Sequence, residues 1–423
     1  MSARQLKLFF IFAVLITFPP LFFVAFGLSS MTIGLMLAMV VLVLFFYQTP
    51  PIIRVRDATL VAAVLIFLLT THAIYFLVVD HDNRKLFAIL LFFIMLWTAG
   101  VFSNVIYKCN GLVLLRIFKW LVIIALLIGF GSFVIDANFL NYSKYIKPMF
   151  PFSEPSHYAL GFASIFLAAG IILSKVQRIL LLISIILMGA LKPSVLLLAI
   201  AFVMVIVYYV LPLKTEKIVF FAILVVIGVS ALSIVDDSKL SYFYERIPFA
   251  ENVEHPVIHG SANLTALIYM QGWEVLSDTM VNTNGLGVGL LNMEKTTPGH
   301  YAEMVYKIRG MFSNRADGSF FASKLVTEFG VVGVFVLVAY FSLLLKSLRF
   351  FYRLGRYNNK YRPIETICPV SLIYAHSVIV VFVIEAFARG VGYFSSGVFF
   401  LIVAMFLTRR FRVSFPQVGQ VNS

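Results

Sequence analysis

Residues 8–28 read "LFFIFAVLITFPPLFFVAFGL", a run without one charged side chain. Its length matches the ~20 residues an α-helix needs to cross the ~30 Å hydrocarbon core of a bilayer. Arg4 and Lys7 precede it and Gly27 lies near its end, the outline of a secretory leader. The apolar part is long for a leader, however, and it contains Pro19 and Pro20. It is read as a retained membrane segment.

Runs of the same kind recur along all 423 residues. The chain is 61% hydrophobic, with a mean hydropathy of +0.99. A soluble protein cannot bury that much apolar surface, and the short alternating segments of a β-barrel do not dominate. The expected fold is an all-α polytopic membrane protein of about 12 transmembrane helices, near 8–28, 31–47, 58–79, 86–106, 117–135, 156–174, 177–190, 193–211, 217–235, 320–346, 367–388 and 391–408. This divides the chain into helices 1–9 over 1–235, a large folded periplasmic loop over 236–319, and helices 10–12 with a cytoplasmic C-terminus over 320–423.

Charge orients the segments. With a cytoplasmic N-terminus, 20 of the 33 Lys and Arg fall inside and 13 outside, whereas 16 of the 19 Asp and Glu fall outside. The cationic bias follows the positive-inside rule. Lys346, Arg349, Arg353, Arg356, Lys360 and Arg362 mark one cytoplasmic loop, and Arg409, Arg410 and Arg412 place the C-terminus inside. The net charge of +14 is thus spread over short loops that touch anionic lipid, so nucleic acid is not an expected partner. Cys109 and Cys368 form no disulfide framework and no zinc spacing, and no metal or other cofactor is expected.

Two outer stretches carry the candidate chemistry. "PFSEPSHYALG", 151–161, opens a middle helix, with Ser153 as its expected cap, Pro155 in the first turn and Glu154 favouring the helix dipole. Glu154 and His157 are held beside each other there. The second stretch is the long loop, where Leu264, Leu267, Ile268 and Val275 suit a helix lying at the membrane interface. In "TNGLGVGLLNM", 283–293, the glycine spacing is wrong for a dinucleotide site, and a tight turn is the better reading.

Outer loops should be poor in Lys and Arg, yet Lys192, Arg309, Arg315, Lys324 and Arg389 lie there. Each has a plain structural reading: snorkelling to headgroups, or for Arg389 a pair with Glu385 one turn away. Together they suggest an anion site, and arginine's planar fork suits phosphate oxygens. Asp317 and Glu328 join Glu154 as outer acids, Asp317 near the start of a helix and Glu328 two turns inside one, where an unpaired charge is expensive. A carboxylate facing such cations can act as general base on a hydroxyl.

"FSEPSHYAL", "GWEVLSDTMVNTNGLGVG" and "DGSFFASKLVTEFGVVG", in this order and with this layout of helices, resemble the O-antigen polymerases of Wzy type, which are related to the O-antigen ligases. The resemblance implies a C-type glycosyltransferase-like fold in the bacterial inner membrane, with its active site facing the periplasm. It implies polymerisation of undecaprenyl-diphosphate-linked repeat units of O-antigen or capsule, without metal, and partners that include a chain-length-regulating co-polymerase and a flippase. Lys192, Arg309, Arg315 and Arg389 would bind the diphosphate; Glu154, Asp317 and His157 would be the catalytic groups. Lys192 in "LKPS" stands nearest a family arginine, keeping its charge but losing its fork. Ligases carry a His–Asn pair where this chain has "RADGSFF", with Asp317 and Ser319, which disfavours ligation. A lipid-glycan transporter is the remaining alternative, but no internal repeat is evident.

Overall fold

The computed structural model describes residues 3–28, 30–51, 83–134, 139–145, 148–192, 194–211, 264–358, 368–390 and 392–411. The expected segments 58–79 and 217–235, the loop up to residue 263, Lys239, Arg246, Lys360, Arg362, Arg412, His72, His81, His255 and His259 lie outside them.

The described residues include twelve α-helices: α1 (Ala3–Ala25), α2 (Thr32–Phe46), α3 (Asn83–Tyr107), α4 (Gly111–Val134), α5 (Pro155–Ile172), α6 (Lys175–Leu191), α7 (Val195–Val205), α8 (Leu264–Asn282), α9 (His300–Arg309), α10 (Phe321–Asn358), α11 (Val370–Phe387) and α12 (Ser396–Arg410). Six of them, α1, α3, α4, α5, α10 and α11, are long and apolar enough to cross a membrane, and α2 and α7 are shorter apolar helices. The chain is a helical multi-pass membrane protein. The twelve helices differ from the twelve expected segments: α8 and α9 lie in the long loop.

Helices α5 and α11 form the centre. Their apolar stretches are 78% and 83% buried, against 17% for α10, which runs along the periphery. Aromatic edges lock the middle of the bundle, with Phe12 of α1 against Phe102, Phe118 and Tyr374 at ring separations of 5.0–5.7 Å. In lipid there is no water to satisfy a bare carbonyl, so every break in a helix needs an internal partner. Pro19 cannot donate to the Leu15 carbonyl. The Ser396 hydroxyl donates to it instead, at 2.6 Å, tying α12 to α1. Arg178 does the same at the end of α5, donating to the carbonyls of Gly170, Ile171 and Leu173. His376 is satisfied as a core histidine, hydrogen-bonded to Ser347 at 2.9 Å and stacked on Phe350.

The helix ends sort into two faces. At one lie the end of α1 with Tyr142 and Asn141, the ends of α4, α6 and α11, and the starts of α5, α10 and α12. At the other, Tyr107, Cys109, Cys368 and Phe411 surround a cleft of about 580 Å³. Helix α8 carries Leu267 and Val275 as expected, but both are buried against protein and not laid on lipid. The Ser323 hydroxyl donates to the Gly272 carbonyl at 2.6 Å and Ser319 donates to Ile268, so the start of α10 covers that face.

Candidate functional site

A tight turn, with Met149 and Phe152 paired through both backbone hydrogen bonds, delivers the chain to α5. Tyr142 anchors the turn by donating to the Pro151 carbonyl at 2.6 Å. Pro155 takes the first helical position and Glu154 is the N-cap residue, in extended backbone conformation. Ser153 does not cap the helix. Its hydroxyl is hydrogen-bonded to His157 Nδ1 at 2.6 Å, because an N-cap at Glu154 leaves Ser153 outside the turn it was expected to close. The other ring nitrogen, Nε2, lies 3.6 Å from Glu154 Oε1.

Across the bundle, α11 ends at Phe387, and Arg389 leaves it on a turn. The guanidinium donates directly to Glu154 Oε1 and forms an ion pair with it. The pair with Glu385, the plain structural alternative for Arg389, does not form. The helix stops before the i,i+4 register can be completed, and Glu385 instead accepts a hydrogen bond from Ser395, the cap of α12. Ser153, His157, Glu154 and Arg389 thus make one chain of polar contacts at the mouth of an apolar bundle. Glu154 and Arg389 each keep about a third of their side-chain surface exposed, at 34% and 30%. Burial would raise the Glu154 carboxyl, but the Arg389 guanidinium and the His157 ring outweigh it and hold the group below its ordinary value.

A second charged group stands on the other side of that turn. Lys324, nearly fully buried in the first turns of α10, donates to the Ala316 carbonyl and lies 3.7 Å from Glu328 and 4.0 Å from Asp317. Its ammonium also sits 5.3 Å from the centre of the Tyr393 ring. The buried Glu328 therefore has an ion-pair partner in Lys324, while neither of its carboxylate oxygens has a hydrogen bond. The i,i+4 spacing of Lys324 and Glu328 was readable in the sequence. The two groups are stitched together where Gly390 donates to the Ser319 carbonyl at 3.0 Å, and a side chain on Gly392 would meet Asp317 at 3.3 Å.

The remaining cations are placed differently. Lys192 donates to the Ser132 and Pro148 carbonyls at 2.6 and 3.2 Å and lies over the Phe133 ring, bracing the loop that leads to α5. Arg309, exposed at the end of α9, reaches Ser313 at 3.4 Å. Arg315 donates to the Thr296 carbonyl and stacks on Phe312. So the structure joins Glu154, His157 and Arg389, sets Asp317 beside Lys324, and leaves Arg309 and Arg315 on the α8–α9 segment with local partners. Among the described residues, no three of His, Cys, Asp and Glu gather as metal ligands would.

No protein-family model matches the chain, and no curated protein matches it.

Proposed function

We propose that this protein is a metal-independent glycosyltransferase that polymerises lipid-linked oligosaccharide repeat units at the extracytoplasmic face of a bacterial inner membrane. The observation that carries this reading is the Glu154–Arg389 pair, flanked by His157, at the rim of a largely apolar bundle. A polyprenyl diphosphate keeps its tail in the bilayer and its charge at the rim, where these groups lie. In the reaction an acceptor hydroxyl oxygen forms a bond to the anomeric carbon while the bond from that carbon to the diphosphate oxygen breaks. The diphosphate leaves with the electron pair, and the hydroxyl proton passes to a carboxylate. Arg389 has five N–H donors, and those aimed at the departing oxygens favour the transition state over the ground state.

The pair also has a built-in order of events. While Arg389 is bound to Glu154, the carboxylate is a weak base. When an incoming diphosphate draws the guanidinium away, burial is offset less and Glu154 gains proton affinity as the acceptor hydroxyl arrives. Asp317, with more than half its side chain exposed beside Lys324, is the alternative base.

One observation favours a second reading, transport of a lipid-linked glycan: α10 breaks at Gly330 beside a buried Lys–Glu pair, as helices in transporters do. Purified protein in liposomes, supplied with lipid-linked repeat unit, separates the two. Polymerisation yields a ladder of longer glycans, and Arg389→Ala lowers the rate about 100-fold or more. Movement of the unit across the bilayer without a new glycosidic bond would overturn the polymerase in favour of the transporter.

A further inference from the structure

Helix α10 is continuous except at Gly330, where φ is 56° and ψ −132°. The glycine loop after α8 pairs with the backbone on both sides of this break. Val288 donates to the Thr327 carbonyl at 2.9 Å, Gly289 donates to the Glu328 carbonyl at 2.8 Å, and Val331 donates to the Gly285 carbonyl at 2.8 Å. Only glycines permit so close an approach: a Cβ on Gly330 would lie 1.9 Å from the Gly285 oxygen. Pairing of an irregular backbone inside the protein is what hydrocarbon requires, because no water is there to serve.

Depth points the same way. From Gly330 to the basic cluster that starts at Lys346 there are 16 residues. At ~1.5 Å per residue they span about 24 Å, less than the ~30 Å hydrocarbon core. With Lys346, Arg349 and Arg353 at one boundary, Gly330 falls inside the other. Just below the break, Val331, Val332, Val334 and Phe335 are exposed apolar residues on a peripheral spanning helix, which is a lipid-facing surface. A side chain on Gly285 would meet Val331 Cγ2 at 3.0 Å. Its neighbour Leu286 is 81% exposed, and Val281 at the end of α8 is 73% exposed.

We propose that the end of α8 and the glycine loop 283–289 are embedded in the bilayer, with Leu286 and Val281 in contact with acyl chains. The contact continues the lipid-facing surface of α10, and acyl chains are the occupant that this continuity selects. The loop is thereby a membrane-seated plug for the break in α10. The proposal does not depend on the reaction proposed above.

Site-directed spin labelling tests it in full-length protein reconstituted in liposomes, with Cys109→Ser and Cys368→Ser removing the native thiols. A nitroxide at Leu286→Cys is compared with one at Phe335→Cys, facing lipid, and one at Glu303→Cys, facing water. The expected result is severalfold greater collision with oxygen than with a water-soluble nickel chelate at Leu286, as at Phe335, and the reverse at Glu303. Nickel-dominated relaxation at Leu286 overturns the proposal. Poor access to both reagents with spin–spin broadening overturns it too, by putting a second copy of the chain there. Val281→Cys gives the same readout if Leu286→Cys fails to fold.

Discussion

Glu154 and Arg389 are 235 positions apart and share one ion pair, so each fixes the other's position and the guanidinium favours the ionised carboxylate. The folded carboxyl lies below its ordinary value of 4.5, which sets a sign. The pair's contribution to stability is complete above that value and is lost as pH falls through the lowered folded value. Because a third of each side chain is exposed, the contribution is about 1 kcal/mol or less. Arg389→Ala weakens this dependence. Burial is then opposed by the His157 ring without the guanidinium, so the carboxyl rises and the variant loses less stability on acidification than the wild type. Denaturant midpoints in detergent from pH 7 to pH 4, for wild type, Arg389→Ala and the double variant with Glu154→Gln, check this. Parallel pH curves for wild type and Arg389→Ala would break the assigned coupling. Little of this pair was legible in the sequence. Topology put both residues on one face, and the segment expected to end at 388 does end at Phe387, but nothing local says that Arg389 then reaches Glu154 and not Glu385. Ser153 shows the same limit, since moving the N-cap by one residue turned an expected cap into a partner for His157.

At the scale of elements, the helices were legible and their breaks were not. An uncharged run of about 20 residues in a membrane protein has few other solutions. The glycine spacing at 285–289 also gave the tight turn. What the turn is for depends on Gly330, some forty positions away, and on a backbone conformation that no local pattern encodes. Likewise, the apolar set of α8 gave a helix, but not that α10 would cover it. Two substitutions with opposite expected signs test this account. Gly330→Ala meets the Gly285 carbonyl and must hold a left-handed φ. It should cost about 1–2 kcal/mol for the conformation and about 1–3 kcal/mol for overpacking, lowering the yield of folded protein. Gly131→Ala lies within α4 with nothing within 4 Å of the new methyl, and should stabilise by about 1 kcal/mol or less. Melting curves of the two purified variants decide it. Equal tolerance of both would mean that the loop and the break do not need contact at the observed distance.

Across the whole molecule, the described helices alternate between two faces that differ in charge. Glu154, Asp317 and the α8–α9 segment lie at one face, and the C-terminal parts of α10 and α12, with Lys346, Arg349, Arg353, Arg409 and Arg410, reach the other. The direction comes from the cationic bias alone, which insertion reads as a retention signal. On that bias, the proposed orientation has the face of Arg353 cytoplasmic and the face of Glu154 extracytoplasmic, as the proposed polymerisation of exported repeat units requires. Glu303 on α9 and Arg353 near the end of α10 are both exposed, so each tolerates a labelled cysteine in a background without Cys109 and Cys368. In intact cells a membrane-impermeant maleimide should label Glu303→Cys and spare Arg353→Cys until the membrane is permeabilised. The opposite pattern would invert the molecule and put Arg389 in the compartment of nucleotide sugars. The lipid-diphosphate donor would then lose its support, while the pairing of Glu154 with Arg389 and the seating of the glycine loop would stand unchanged.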